Sequence, residues 1–182
     1  MPQYGQARLD IAQLVAAYHA AVYRYAFRLT GSAADAEDLT QQTFLIAQQR
    51  LNQIREPDKA DRWLFAVLRS CFLKNRRRRN PVSAANLELE IENIPEPPSA
   101  VEAIDGELLQ QVLNELPDEY RLVVVMFYFE ECSYKEIAKQ LDIPIGTVMS
   151  RLHRGRARIR THLEGNGFDP RSGSPDKGED RS

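Results

Sequence analysis

Apolar residues recur every three or four positions through most of the chain, which is the period of an amphipathic helix rather than of a strand. Before residue 80 this spacing predicts three helices, the third running from about Lys59 to Arg79. Thr30-Gly31-Ser32 separates the first two, because glycine suits a left-handed helix exit and serine caps the following helix. We expect Trp63 to be a core residue. The three apolar stripes are Ile11, Leu14, Val15, Tyr18, Val22, Tyr25, Ala26 and Leu29, then Leu39, Thr43, Ile46, Ala47 and Leu51, then Trp63, Leu64, Val67, Leu68 and Cys71.

The same spacing resumes at about Asp105 and predicts a second group of helices. Pro117 marks the start of one of them, since proline favours the first helical turn, and Asp118 and Glu119 suit the positive end of a helix dipole. This helix is apolar nearly all round over Leu122–Phe129, so we expect it to be the buried centre of a second domain. The preceding stripe consists of Leu108, Leu109, Val112, Leu113 and Leu116.

Two helices joined by a tight turn follow, over Ser133–Leu163. Ser133 and Glu136 have the spacing of a capping box, and Pro144 favours a helix end followed by a new first turn. The arrangement is typical of a helix-turn-helix, whose second helix enters the DNA major groove. In that second helix the apolar face is Ile145, Val148, Leu152 and Ile159, and the polar face is Thr147, Ser150, Arg151, Arg154 and Arg158.

The arginine-rich face of this helix has two interpretations. A solvated surface helix is the ordinary explanation for a charge run, but such helices commonly place acids four residues from their arginines. Between Pro144 and Leu163 the chain has five arginines and no acid. We therefore predict that this face binds DNA.

Charges are segregated along the chain, although the net charge is only −2. Arg69–Arg79 carries six basic residues and no acid, whereas Pro81–Tyr120 carries ten acids and neither lysine nor arginine. The run Arg76–Arg79 extends a helix that has a core face, so we expect an ordered basic ridge. The sum of charges does not indicate a nucleic-acid binder, but their distribution does.

The acidic stretch over residues 81–104 separates the two helical groups. Leu87, Leu89 and Ile91 alternate with glutamates, which is the period of an edge strand, but Pro95, Pro97 and Pro98 favour an extended linker. The sequence thus predicts an all-α protein of two small helical domains joined by an extended, proline-rich acidic linker. The predicted parts are a first domain at 1–80, the linker at 81–104, a helix-turn-helix domain at 105–165 and a disordered tail at 166–182.

Several classes of function find no support in the sequence. The longest apolar run, Leu122–Phe129, is too short for a bilayer, and the N-terminus lacks a signal pattern, so we expect a cytoplasmic protein. Cys71 and Cys132 lie in apolar helical contexts, which favours buried reduced thiols over a redox switch. No metal-ligand spacing, phosphate loop or catalytic constellation is present, so no metal, cofactor or enzymatic activity is predicted.

In their order and spacing these motifs resemble the extracytoplasmic-function sigma factors, the small two-domain group of the bacterial sigma-70 family. The resemblance covers about residues 10–164. In the first half it is carried by Ala36–Gln41 with Phe44, by Trp63-Leu64 and by the arginine run. In the second half it is carried by Leu116-Pro117, Arg121, Ser133-Tyr134, Glu136-Ile137-Ala138, Leu141, Pro144–Arg151 and Arg154.

The resemblance implies a transcription initiation factor that is not an enzyme. Its first domain would dock on the β′ coiled coil of core RNA polymerase and open the promoter −10 element, with a base held by the loop at 54–61. Its second domain would recognise the −35 element and touch the β flap, the linker would thread the RNA exit channel, and an anti-sigma protein would sequester the chain. The implied sites are Asp38, Leu39, Gln41 and Gln42 for polymerase, Arg69, Lys74, Asn75, Arg76, Arg77, Arg78 and Arg79 for −10 DNA, and Ser133, Tyr134, Thr147, Ser150, Arg151, Arg154 and Arg158 for −35 DNA.

The chain departs from this family pattern at three positions. Gln42 stands where glutamate is usual, Glu131 where glycine is common before the helix-turn-helix, and Met149 where lysine or arginine is common. Two rival functions remain open at this point. One is a helix-turn-helix regulator that binds duplex DNA without polymerase, and the other is a helical adaptor that binds only protein.

Overall fold

The computed structural model describes residues 10–54, 59–79 and 106–165, and every regular element among them is helical. The chain divides into two compact units, Met1–Glu88 and Leu89–Ser182, and this division lies inside the stretch predicted as the linker. The all-α prediction is therefore confirmed for the described residues. The elements are α1 (Ile11–Thr30), α2 (Ala33–Gln49), a 3-10 turn (Leu51–Gln53) and α3 (Ala60–Arg79) in the first unit, and α4 (Gly106–Asn114), α5 (Asp118–Tyr128), α6 (Tyr134–Leu141) and α7 (Ile145–Gly165) in the second.

Three predicted segments lie partly or wholly outside the described residues. They are the acidic linker at 81–104, the tail at 166–182, and residues 55–58 of the loop expected to hold a base.

In the first unit α1, α2 and α3 pack on one another. Gly31 has a φ of 68°, and its N–H donates to the Phe27 carbonyl at 2.9 Å. The Ser32 hydroxyl accepts from the Asp35 N–H at 3.3 Å, so the predicted exit and cap between α1 and α2 are both confirmed. The buried apolar side chains are Leu14, Val22, Tyr25, Ala26, Leu29, Ala36, Leu39, Phe44, Ala47, Ala60, Leu64, Leu68, Cys71 and Phe72.

The prediction that Trp63 lies in the core is wrong. Trp63 and Val67 are half-buried, whereas Phe72, which the predicted stripe omitted, is buried. The buried side of α3 is therefore rotated toward Leu64, Leu68 and Phe72. When an apolar stripe is wider than the surface that neighbouring helices cover, spacing alone does not predict which residues at its edges are buried.

In the second unit α5 forms the buried centre, as predicted, over Tyr120–Met126. The prediction is wrong at the end of the apolar run, where Phe127 and Tyr128 are half-buried and Phe129 is 38% exposed. The buried stripe of α7 consists of Val148, Leu152, Gly155, Ile159 and Leu163. Ile145 was predicted to belong to that stripe but is 43% exposed. It is the first residue of α7, where the helix has just emerged from the turn.

Arg121 is buried within this apolar centre and closes the end of α4. It is 8% exposed, and its Nη2 donates to the Leu116 carbonyl at 2.9 Å and to the Asn114 carbonyl at 3.1 Å. The Asp118 carboxylate lies 3.7 Å from the same nitrogen. The last carbonyls of a helix have no hydrogen-bond donor within the helix. The Arg121 guanidinium therefore supplies donors to carbonyls at and just after the end of α4.

At the exit from α5 a residue other than glycine adopts the left-handed backbone conformation. Glu131 has a φ of 55°, and the Cys132 N–H donates to the Met126 carbonyl at 3.1 Å across the turn. Glycine adopts this conformation without steric cost, whereas other L-residues are disfavoured in it. At this exit the left-handed turn that glycine would form freely is therefore formed, with some backbone strain, by glutamate.

We expect Glu131→Gly to stabilise the second unit by about 0.5–1 kcal/mol, because relief of the left-handed strain outweighs the extra freedom of glycine in the unfolded chain. Thermal unfolding followed by circular dichroism measures the change. Asp142, at the exit of α6, has a φ of 54° and is the matched control, since aspartate tolerates this conformation better. A lower melting temperature for Glu131→Gly, or an equal gain for Asp142→Gly, would contradict the explanation.

Candidate nucleic-acid interface

Both helices of the helix-turn-helix begin where the sequence predicted. The Ser133 hydroxyl accepts from the Glu136 N–H at 3.3 Å, and the Glu136 carboxylate accepts from the Ser133 N–H at 2.8 Å and from its hydroxyl at 2.7 Å. The capping box is thus confirmed and fixes the start of α6. At the start of α7 the Pro144 carbonyl accepts from Thr147 and Val148 N–H groups at 2.9 and 3.2 Å.

The three arginines predicted to contact DNA lie along one side of α7, next to the start of α5. Arg151 Nη2 is 4.0 Å from the Glu119 carboxylate. Arg154 Nη1 donates to the Tyr120 hydroxyl at 3.4 Å, and the Arg158 guanidinium lies over the Tyr120 ring, 5.4 Å from its centroid. Arg151 therefore has an acidic neighbour, but this carboxylate comes from another helix and not from four residues away on α7.

Arg156 points to the opposite side of α7 and packs on aromatic rings. Its guanidinium lies 5.1 Å from the Phe127 centroid and 5.6 Å from the Tyr128 centroid. Two of its nitrogens, Nε and Nη2, are buried without a hydrogen-bond partner. Cation–π contacts at desolvated sites are stabilising, so this arginine holds α7 to α5 rather than extending toward a ligand.

The other polar side chains predicted to contact −35 DNA are partly buried or already engaged in hydrogen bonds within the protein. The Ser150 hydroxyl donates to the Thr147 carbonyl at 3.0 Å, and both residues are half-buried. Tyr134 is half-buried with its ring stacked on Phe127, 5.3 Å between centroids. Ser133 is exposed, but its hydroxyl already serves the capping box.

The solvent side of α7, opposite its buried stripe, carries residues that the sequence analysis did not single out. They are His153, Ala157, Arg160 and Glu164, and all of them are exposed. The sequence could have predicted their exposure. These positions follow one another at four, three and four residues, which places them on the helix face opposite the buried stripe that includes Val148 and Leu152. His153 lies closest to the start of the helix, where a recognition helix approaches base edges.

The basic end of α3 is exposed as predicted, with one exception. Lys74, Arg76, Arg77 and Arg78 are exposed, whereas Arg69 is only 4% exposed and its Nη1 donates to the Tyr25 hydroxyl at 3.5 Å. Arg69 is therefore a core residue joining α3 to α1 and is removed from the DNA-contacting set. Arg79 is the last residue of α3, and its side chain lies outside the described part of the chain.

The polar face of α2 also differs in detail from the prediction. Asp38 and Gln41 are exposed, but Leu39, assigned to the same surface, is 3% exposed and belongs to the core, so it is removed from that surface. Gln42 is half-buried and accepts a hydrogen bond from Asn75 Nδ2 at 3.3 Å, which joins α2 to the basic end of α3. Leu45, one turn after Gln41, is 59% exposed. It was assigned to neither face by the sequence analysis.

The two thiols have different surroundings. Cys71 is buried as predicted, and burial raises the pKa of its thiol, with the charge of Lys74 lowering that pKa by less. This holds Cys71 in the neutral form. Cys132 was also predicted to be buried but is only half-buried, with Sγ 3.7 Å from Gln140 Nε2 and 4.0 Å from the Glu130 carboxylate.

Two further properties concern the described residues alone. Within residues 10–54, 59–79 and 106–165, no cluster of three or more His, Cys, Asp or Glu side chains has the arrangement of a metal site. In the same ranges no helix is both long enough and apolar enough to cross a bilayer.

Comparison with known proteins gives matches to both units in the expected order. The sigma-70 region 2 profile matches residues 14–81, and the sigma-70 region 4 profile matches residues 106–159. The ECF RNA polymerase sigma factor SigL of Mycobacterium tuberculosis is 38% identical over 167 residues, which cover 88% of this chain and 94% of SigL. The ECF RNA polymerase sigma factor SigE of Mycolicibacterium smegmatis is 39% identical over 156 residues, covering 83% of this chain but 60% of SigE.

One solved structure is also similar over nearly its whole length. It is the sigma factor RpoE of Bartonella quintana, determined in complex with the anti-sigma factor NepR. The TM-score is 0.61 with 26% identity, and the match covers 85% of this chain and 97% of RpoE.

Proposed function

Because the chain belongs to the extracytoplasmic-function sigma factors of the sigma-70 family, we propose that it binds core RNA polymerase and directs promoter-specific transcription initiation. The observation that carries this proposal is the pairing of the two sigma-70 regions in one chain, in the order 14–81 then 106–159. A helix-turn-helix regulator acting alone would need only the second region. A protein-binding adaptor would need no recognition helix with an arginine-lined side.

The proposed −35 contacts are made by α7. Arg151, Arg154 and Arg158 supply planar donors that suit guanine edges and phosphates, and Thr147 and Ser150 lie at the helix start, where base edges come within reach. Ser133 and Tyr134, at the start of α6, are assigned to the same DNA element. We add His153 from the exposed side of α7.

The proposed −10 contacts are made by the basic end of α3. Lys74 and Arg76–Arg79 form a block too uniform to encode sequence, so their contribution is salt-dependent attraction to the DNA backbone during strand opening. Asn75 lies within this block but is held by Gln42, which makes it a link to α2 as much as a DNA contact.

Polymerase docking is assigned to the exposed face of α2. Asp38 and Gln41 supply polar contacts, and the exposed Leu45 one turn later supplies an apolar one. Interfaces commonly bury such an apolar side chain within a polar rim. Gln42 contributes by holding Asn75, because its amide oxygen is already engaged.

We expect Asp38→Ala together with Gln41→Ala to weaken binding to core polymerase by about 1–2 kcal/mol, because two central polar contacts are lost from the interface. Titration of labelled protein with purified core polymerase measures the affinity, and circular dichroism checks the helices. Asp10→Ala with Gln13→Ala removes the same residue types from exposed positions at the start of α1, where Asp10 is the N-cap residue but its side chain makes no cap hydrogen bond, and is the matched control. Equal affinity for the two double variants would count against the assignment of α2.

The finer assignments follow from the same proposal. The working parts are a polymerase-docking and −10 domain at 1–80, a linker at 81–104, a −35 domain at 105–165 and a tail at 166–182. RNA synthesis belongs to the polymerase, so the chain has no catalytic activity of its own and acts in the cytoplasm where the chromosome is. The RpoE relative solved with an anti-sigma factor supports an anti-sigma protein as a partner of this chain as well.

A further inference from the structure

Three arginines of α7 that are assigned to −35 DNA meet two consecutive residues of α5. Glu119 lies 4.0 Å from Arg151, the Tyr120 hydroxyl accepts from Arg154 at 3.4 Å, and the Tyr120 ring lies under Arg158 at 5.4 Å. These contacts cross 32 to 38 positions of sequence and come from the first turn of α5. A single side chain, Tyr120, thus engages two of the three arginines by two different interactions.

Close approach of the two helices makes this arrangement possible. A Cβ at Gly155 would lie 2.8 Å from Val124 Cγ2 and 3.6 Å from Tyr120 Cβ, so only glycine leaves α7 this near to α5 without a shift. Gly155 lies between Arg154 and Arg158 on α7. Tyr120 is therefore wedged against the backbone of α7, with its hydroxyl directed to one arginine and its ring beneath the other.

Free arginine side chains have many rotamers, and ordering them on binding is costly. A recognition site gains affinity and specificity when other side chains hold its donors in place beforehand. Apolar packing against Val124 and Gly155 would require only a ring at position 120. The hydroxyl is an additional feature whose contact is with Arg154.

We propose that Tyr120, with Glu119 beside it, is a positioning residue for DNA recognition that orients Arg151, Arg154 and Arg158 before promoter binding. The inference rests on the proposed role of α7 at the −35 element. Neither side chain needs to touch DNA. Loss of the Tyr120 hydroxyl leaves the ring beneath Arg158 in place and frees Arg154.

The test is a double-mutant cycle that combines Tyr120→Phe with Arg154→Ala in holoenzyme reconstituted from the full chain and core polymerase. The probe is a promoter obtained by selecting random-sequence duplex DNA with wild-type holoenzyme, together with single-base variants of its −35 element. We expect Tyr120→Phe to lower discrimination among these variants by about two- to tenfold in the wild-type background, the range for one lost hydrogen bond. In the Arg154→Ala background it should have no effect, since the arginine it positions is absent.

Tyr128→Phe is the matched control, because it removes a hydroxyl from another α5 tyrosine and leaves the ring under Arg156. It should leave discrimination unchanged. A parallel cycle pairs Glu119→Gln with Arg151→Ala, and its control is Glu115→Gln, which changes an exposed carboxylate at the end of α4. Melting temperatures of all variants separate positioning from a loss of folded protein.

Two results would overturn the positioning proposal alone. One is an equal effect of Tyr120→Phe in both backgrounds, which would mean that the hydroxyl acts through general stability. The other is unchanged discrimination for Tyr120→Phe while Arg154→Ala loses it. If Arg154→Ala itself discriminates as the wild type does, the role assigned to α7 has failed, and the positioning proposal fails with it.

Discussion

Replacing Arg121 by methionine is expected to lower the free energy of unfolding of the second unit by about 3–5 kcal/mol, the largest stability effect that we predict. The change removes the donors to the Asn114 and Leu116 carbonyls, and it removes the guanidinium that lies 3.7 Å from the Asp118 carboxylate, a side chain only 16% exposed. Small domains have total stabilities of about 5–15 kcal/mol, so a loss of this size leaves much of the unit unfolded on mild heating.

The two units can be followed separately in this experiment. The chain has one tryptophan, Trp63 in α3, so its fluorescence reports the first unit while circular dichroism reports both. The Arg121 variant should lower the melting temperature of the second unit, seen by circular dichroism, and leave the tryptophan transition of the first unit unchanged. Arg160→Ala, an exposed arginine on α7, is the control and should change stability by less than about 0.5 kcal/mol. Equal shifts for the two variants, or a shifted tryptophan transition, would contradict the role assigned to Arg121.

The two basic surfaces are expected to separate into one that carries sequence preference and one that does not. Arg154→Ala should reduce discrimination at the −35 element by about 1–3 kcal/mol, the cost of one good base contact. Arg77→Ala with Arg78→Ala should leave −35 preference intact, slow promoter opening, and lower the salt dependence of binding by roughly one unit per lost phosphate contact.

This difference is measured by transcription from −35 variants at two salt concentrations, with permanganate footprinting to detect open DNA. The paired variant on α3 and the single variant on α7 serve as controls for each other, because both remove exposed or half-buried arginines and change no buried core residue. A changed −35 preference in the α3 variant would contradict the division. So would an equal loss on all promoters in the α7 variant.

Local sequence signals predicted the helices and their ends correctly wherever the chemistry was local. The capping box at Ser133 and Glu136 and the exit at Gly31 depend on residues within a few positions of each other, and both are formed as expected. The central position of α5 followed from its apolar surface all round. These features required no knowledge of the partner helices.

The individual site residues were harder to predict, because their surroundings come from distant parts of the chain. Arg69 lies in the same basic stretch of sequence as the exposed Lys74. It is nevertheless buried, and its guanidinium donates to the hydroxyl of Tyr25, which lies 44 positions earlier. Leu39 lies in the stretch Ala36–Gln41 that carries the family resemblance, which assigned it to the polymerase surface. The apolar stripe of α2, which also includes Leu39, predicted its burial correctly. The partners of Arg151 and Arg154 lie on α5, beyond the reach of any spacing rule on α7.

The central claim is that this chain gives core RNA polymerase its choice of promoter, and run-off transcription on a fragmented genomic DNA library tests it most directly. Purified core polymerase is supplied with or without the full chain, and all transcript starts are sequenced. We predict a defined set of starts that appears only with the chain and shares −35 and −10 elements at a constant spacing. The same starts should disappear when the chain carries Asp38→Ala with Gln41→Ala. Starts that are the same with and without the chain, while the chain alone binds duplex DNA, would contradict the claim and favour a regulator that acts without polymerase.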